Sequence, residues 1–88
     1  LHKNATEKML MIGAKDDDPY VRVSVMYHKN ATEKVLNTGI TDQNKIVRLY
    51  AVLHKNATEQ ILKIGATDAD AKVKHHARAK LKLVKAEE

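Results

Sequence analysis

Along residues 41–54, TDQNKIVRLYAVLH, the apolar positions fall into two neighbouring stripes, Ile46-Tyr50-Leu53 and Val47-Ala51-His54, each spaced i, i+4, i+7. That spacing is the period of an α-helix, and a face so wide predicts packing against more than one neighbour. Thr41 or Asp42 stands where the helix cap belongs. Just upstream, NATEKVLNTGI reads as a shorter amphipathic helix. Ala31, Val35, Leu36 and Gly39 share one face, Asn30 is placed to cap it, and Glu33 follows three residues later as a capping-box partner. Nearer the N-terminus, Asp18 is placed as a cap and Pro19 takes the first helical position, where a missing N–H costs nothing. The chain thus alternates helices with acidic turns.

The two-helix phrase recurs. HKNATE occupies residues 2–7, 28–33 and 54–59, and the same interval of 26 residues relates Gly13, Gly39 and Gly65, Asp16, Asp42 and Asp68, and Val21, Val47 and Val73. A unit this short cannot bury a core of its own, so successive units must stack. The expected architecture is all-α: a short α-solenoid of about three 26-residue two-helix repeats, forming a single domain over residues 1–88. Its units are 1–26, 27–52 and 53–88, the last including a C-terminal capping helix. That cap is read from the apolar stripe Val73, Ala77, Leu81 and Val84, which continues while its companion stripe becomes Lys72, His76 and Ala79. A polar outer face suits a helix with no following repeat. Leu1, Met9, Leu10 and Ile12 would have no preceding neighbour, which predicts either a fragment of a longer array or a homodimer through the uncapped N-terminal face.

Composition narrows the function classes. With no cysteine, disulfides, thiolate metal sites and cysteine nucleophiles are all excluded, in keeping with a reducing compartment. No apolar stretch approaches the roughly 18 residues of a membrane span, and no signal-peptide pattern opens the chain, so a cytoplasmic location without membrane contact is expected. No Ser-His-Asp arrangement, Gly-rich phosphate loop or His-Glu-x-x-His motif occurs. The expectation is a chain that is not an enzyme and takes no cofactor.

Each remaining polar motif has a structural reading beside a functional one. The string Asn-Ala-Thr fits the N-glycosylation pattern three times, but Asn4, Asn30 and Asn56 also stand at helix starts, and the cap reading is preferred. His2, His28 and His54 lie one repeat apart, too far to share a metal ion whose ligands sit within about 2.0–2.2 Å of it. They are expected to close the second helices and to bond neighbouring backbone. His75 and His76 are adjacent rather than at i, i+4, so they do not form a chelating pair. Asp18, Asp42 and Asp68 are assigned as caps of the second helices, in a turn region that also holds Asp16, Asp17 and Asp70. Arg22, Arg48 and Lys74 follow one turn later and are placed to pair with a neighbouring unit's aspartate, as exposed pairs contributing about 0–1 kcal/mol each.

Charge supplies the last signal. The formal net charge is +5, and Lys74, Arg78, Lys82 and Lys85 form a stripe on the final helix, while Lys3, Lys29 and Lys55 form a row along the repeats. These seven residues are the candidate binding surface. A basic stripe can follow phosphates. Tyr20, Tyr27 and Tyr50 are the only aromatics, and with two of them assigned to the core no stacking platform for a single strand is expected. The favoured reading is a protein–protein interaction scaffold, and the alternative is weak nucleic-acid binding through the basic helix and the lysine row.

The run VRVSVMYHKNATEKVLNTGITDQNKIVRLYAVLHKNATEQIL resembles the leucine-rich repeat variant family. Val21-Arg22, Val47-Arg48 and Val73-Lys74 match the end of one family helix, and His28-Lys29-Asn30-Ala31-Thr32 matches the following turn, with lysine where proline is usual. The resemblance implies a right-handed superhelix of alternating helices, broadly like HEAT-type repeats, in families that mostly bind other macromolecules. The unit here is slightly longer, and no cysteine-rich cluster-binding segment is present, so an iron–sulfur role is not implied.

Overall fold

The computed structural model describes residues 2–87. Six α-helices follow one another, α1 (Glu7–Gly13), α2 (Pro19–Tyr27), α3 (Glu33–Ile40), α4 (Lys45–Leu53), α5 (Glu59–Gly65) and α6 (Ala71–Ala86), with no strand among the described residues. Each odd-numbered helix packs on the even-numbered helix after it. Contacts between units join α1 to α3, α3 to α5, α2 to α4 and α4 to α6, so odd and even helices form two layers. The Cα envelope measures 35 × 26 × 15 Å, thin enough for two layers of helices about 8–10 Å apart.

The odd-numbered helices start two residues later than the asparagine-cap reading requires. Their caps are Thr6, Thr32 and Thr58, each accepting from the N–H three residues on, at Met9, Val35 and Ile61. Asn4, Asn30 and Asn56 sit two residues upstream of the cap, in the turn, and Glu33 is the first helical residue rather than the box partner. Among the even-numbered helices, Asp18 caps α2 with Pro19 behind it, but α4 and α6 are capped by Asn44 and Asp70. Asp42 and Asp68 are displaced from the cap because each accepts the cap residue's own N–H, at 2.8 Å. That bond turns the chain tightly into the helix and leaves the carboxylate facing the preceding unit.

Leu10, Leu36 and Leu62 hold equivalent places in the three units and are fully buried, each contributing about 1.5–3 kcal/mol through apolar area removed from water. Val47, Ala51 and His54 are buried as the pattern predicts, and Val73 and Ala77 repeat them in α6. The companion stripe behaves differently. Ile46 and Leu53 are exposed and Tyr50 is half-buried, so α4 packs on one stripe and presents the other. Lys72, His76 and Ala79 of α6 occupy that same presented stripe. Their polarity therefore does not mark the end of the stack. What distinguishes α6 from α2 and α4 is its length, which carries half-buried Leu81 and Val84 onto the core beyond the point where α2 and α4 stop.

Gly65 permits a close approach between the layers. A Cβ there would lie 2.8 Å from Val52 Cγ2 and 2.9 Å from the Cβ of Ala77, which is fixed to its backbone. Overpacking costs about 1–3 kcal/mol, while the helical preference of alanine over glycine returns about 0.5–1 kcal/mol. Gly65→Ala is accordingly expected to lower stability by about 1–2 kcal/mol in urea unfolding. An unchanged or raised midpoint would show that α5 and α6 are not in contact at this point.

Candidate functional site

Two regions concentrate polar and aromatic side chains: the junctions between units, and the presented face of the even-numbered helices.

Each junction is built on an arginine. In Arg48, Nε and Nη2 donate to Asp68 Oδ2 and Oδ1 at 2.8 and 3.0 Å, while Nη1 donates to the carbonyls of Asp42 and Gln43 at 2.8 and 3.1 Å. Arg22 repeats the arrangement on Asp42 and on the carbonyls of Asp16 and Asp17. The sequence expectation of exposed pairs is corrected here. Both pairs are bidentate and their side chains are largely shielded from solvent. The hydrogen bond from Arg48 holds the Asp68 carboxyl below its ordinary pKa, against the opposing effect of burial. Lys74 stands at the third arginine position and is half-buried.

Histidine and asparagine complete the junction. His54 Nδ1 accepts from the Asn56 N–H at 2.9 Å, which leaves Nε2 as the protonated nitrogen of a neutral ring, 2.7 Å from the His28 carbonyl it donates to. His28 repeats this with the Asn30 N–H and the His2 carbonyl. Asn30 Nδ2 donates to the Lys3 and Ala5 carbonyls, and Asn56 Nδ2 to the Ala31 carbonyl. The asparagines therefore tie units together rather than cap helices. In α6 the histidine position holds Lys80, whose Nζ donates to the Val52 and His54 carbonyls at 2.7 and 2.9 Å, and whose pKa is pushed down by burial.

The presented face carries the tyrosines, although the sequence pattern assigns two of the three to the core. Tyr20 and Tyr27 are 83% and 74% exposed, and only Tyr50 is half-buried. Tyr27 and Tyr50 meet edge to face with ring centroids 5.7 Å apart. They line a groove of about 380 Å³ together with Met26, Leu53, His54, Lys29 and Lys55. A second groove of about 330 Å³ runs beside it, bounded by Pro19, Tyr20, Val23, Asn44, Ile46 and Tyr50. The candidate lysines divide accordingly. Lys29 and Lys55 border the first groove, Lys3 is exposed, and Lys74, Arg78, Lys82 and Lys85 line neither groove. Arg78 is partly occupied, since its Nε donates to the Ala66 carbonyl.

A comparison of the three units position by position would have found this face. Tyr20, Ile46 and Lys72 are equivalent, as are Val23, Leu49 and His75, Ser24, Tyr50 and His76, and Tyr27, Leu53 and Ala79. These positions differ sharply, while the buried leucines, Val21, Val47 and Val73, and the glycines do not. Among the described residues no group of three His, Asp or Glu side chains is arranged to hold a metal ion, and no helix is long and apolar enough to cross a membrane. The chain matches no family model, and no curated protein or solved structure matches it.

The junction yields a prediction about pH. Because Asp68 has a lowered pKa in the folded chain, the unfolded chain binds more protons in acid. The stabilisation from this group is complete above the ordinary aspartate value of about 4 and disappears as pH falls through the folded value. Asp68→Asn keeps an acceptor for the Asp70 N–H but removes the charge. It is expected to be less stable than the parent at neutral pH, with the gap closing in urea titrations as pH falls below the ordinary aspartate range. A gap that stays constant with pH would contradict the assignment.

Proposed function

We propose that the chain is a non-enzymatic macromolecule-binding module, a short right-handed α-solenoid in the style of the leucine-rich repeat variant and HEAT-like families, whose partner is a protein. The observation that carries this reading is the separation of two kinds of position. On the presented face of α2, α4 and α6 the equivalent residues change character from unit to unit and expose Tyr20, Tyr27, Ile46 and Leu53, while Leu10, Leu36 and Leu62, Asp16, Asp42 and Asp68, and the three glycines recur. Folding does not require these side chains, and large exposed apolar groups grouped on one face mark interaction sites. The Tyr27–Tyr50 groove offers aromatic and aliphatic walls bordered by two lysines and no carboxylate. A segment of apolar side chains flanked by acidic residues fits such a groove.

The exposure of Tyr27 in the groove bordered by Lys29 and Lys55, with Tyr20 exposed at the second groove, also supports the second reading, nucleic-acid binding, because it supplies rings on which bases can stack. The two readings separate by salt and by mutation. Under the protein reading, a tagged chain keeps its partner after nuclease treatment, Tyr27→Ala weakens the complex by about 10-fold or more, and Lys82→Glu with Lys85→Glu leaves it intact. Under the nucleic-acid reading, binding falls by roughly 0.9 log units per log salt for each duplex phosphate contacted and is abolished by reversing Lys74 and Arg78. The first set of results is expected. The second would overturn the protein reading.

A further inference from the structure

We propose that the N-terminal face of the chain is a docking surface for one more helix pair of this same repeat type, one whose second helix carries an arginine at the place of Arg22 and Arg48. The inference rests on the junction geometry and is independent of the partner-binding reading above.

Each internal junction has a donating and an accepting side, and the first unit carries the accepting set of side chains without a partner among the described residues. Asp42 and Asp68 each receive an arginine from the unit before. Asp16, their equivalent, also accepts the N–H two residues on, at 2.8 Å, but its exposed carboxylate receives no guanidinium from the described residues, and Arg22 reaches only its backbone carbonyl. His28 and His54 each place Nε2 against a carbonyl of the preceding unit. His2 has the same Nδ1 bond to the Asn4 N–H, but no such carbonyl among the described residues. Asn30 and Asn56 donate through Nδ2 to the preceding unit, while Asn4 has no such bond among the described residues. The apolar positions agree. Met9 is 45% exposed where its equivalents Val35 and Ile61 are 0%, and Val21 is half-buried where Val47 and Val73 are buried.

The opposite end does not offer the matching side, which is why a second copy of the chain is not the occupant. Lys74 replaces the arginine there and cannot make a planar two-point contact with Asp16. Lys80 already bonds the His54 carbonyl that an incoming His2 ring would need. Furthermore, α6 runs on to Ala86, past residue 79, where its counterparts end at 27 and 53. The stack is therefore extendable at one end only, and only by a unit bearing arginine.

Fusion of residues 27–52 directly ahead of the chain tests this, because RLYAV followed by LHKNATE recreates the junction sequence already present at 48–59. The expected result is one cooperative thermal transition with its midpoint raised by on the order of 5 °C or more, and a helical circular-dichroism signal increased by one unit. Asp16→Asn should remove much of that rise in the extended chain. In the parent it should leave the midpoint nearly unchanged, since asparagine still accepts the Asp18 N–H. An added unit that melts separately or adds no stability would overturn the proposal, as would an Asp16→Asn effect equal in both chains. Light scattering of the parent should show a monomer. A dimer dissociated by Met9→Lys would instead identify a second copy as the occupant and overturn the choice made here.

Discussion

A planar guanidinium with donors on two edges can serve two acceptors at once, and in this chain those acceptors belong to successive units. Arg48 holds the carbonyls of Asp42 and Gln43 in its own unit and both carboxylate oxygens of Asp68 in the next. The turn that starts α4 and the turn that starts α6 are thereby set at one spacing. Everything else at the junction needs that spacing. The His54 ring reaches the His28 carbonyl, the Asn56 amide reaches Ala31, and Gly65 lets α5 approach Ala77. A lysine could satisfy the charge but not the geometry, since an ammonium on a flexible stem makes point contacts. In the third unit Lys74 takes the arginine's position.

Partners at a fixed separation along the chain explain why so much was legible in the sequence. An interval of 26 residues places each histidine against its predecessor, so the period, the six helices and the buried leucines follow from spacing and amphipathicity alone. The choice among neighbouring polar residues was not legible. Asn30 and Thr32 are both good caps, and the contest is decided by Asn30 Nδ2 finding the Lys3 and Ala5 carbonyls of another unit, which no local rule contains. Asp42 and Asn44 present the same ambiguity. The carboxylate goes to Arg22 and the amide is left to cap α4.

The misassigned stripe has a related cause. Ile46, Tyr50 and Leu53 keep helical spacing as faithfully as Val47, Ala51 and His54, and periodicity cannot say which of two adjacent apolar stripes is covered. With two layers, an even-numbered helix has neighbours on one face and along its sides only, so the second stripe stays at the surface. Its residues are released from packing and are free to differ from unit to unit, and in doing so they form the grooves around Tyr27 and Tyr50. On the proposed reading, recognition would rest mainly on this presented stripe and rigidity on the junctions, with His54 belonging to both.

A double-mutant cycle on Arg48→Gln and Asp68→Asn, read by urea unfolding of the whole chain at neutral pH, measures the clamp itself. Each single substitution strands the partner it leaves behind, so the clamp predicts that both singles destabilise and that the double mutant is little worse than the poorer single. The coupling should lie clearly above the roughly 0.5 kcal/mol at which independent sites are still additive. Effects that simply add would contradict it, showing that Arg48 and Asp68 contribute separately and that the spacing of the units is set elsewhere.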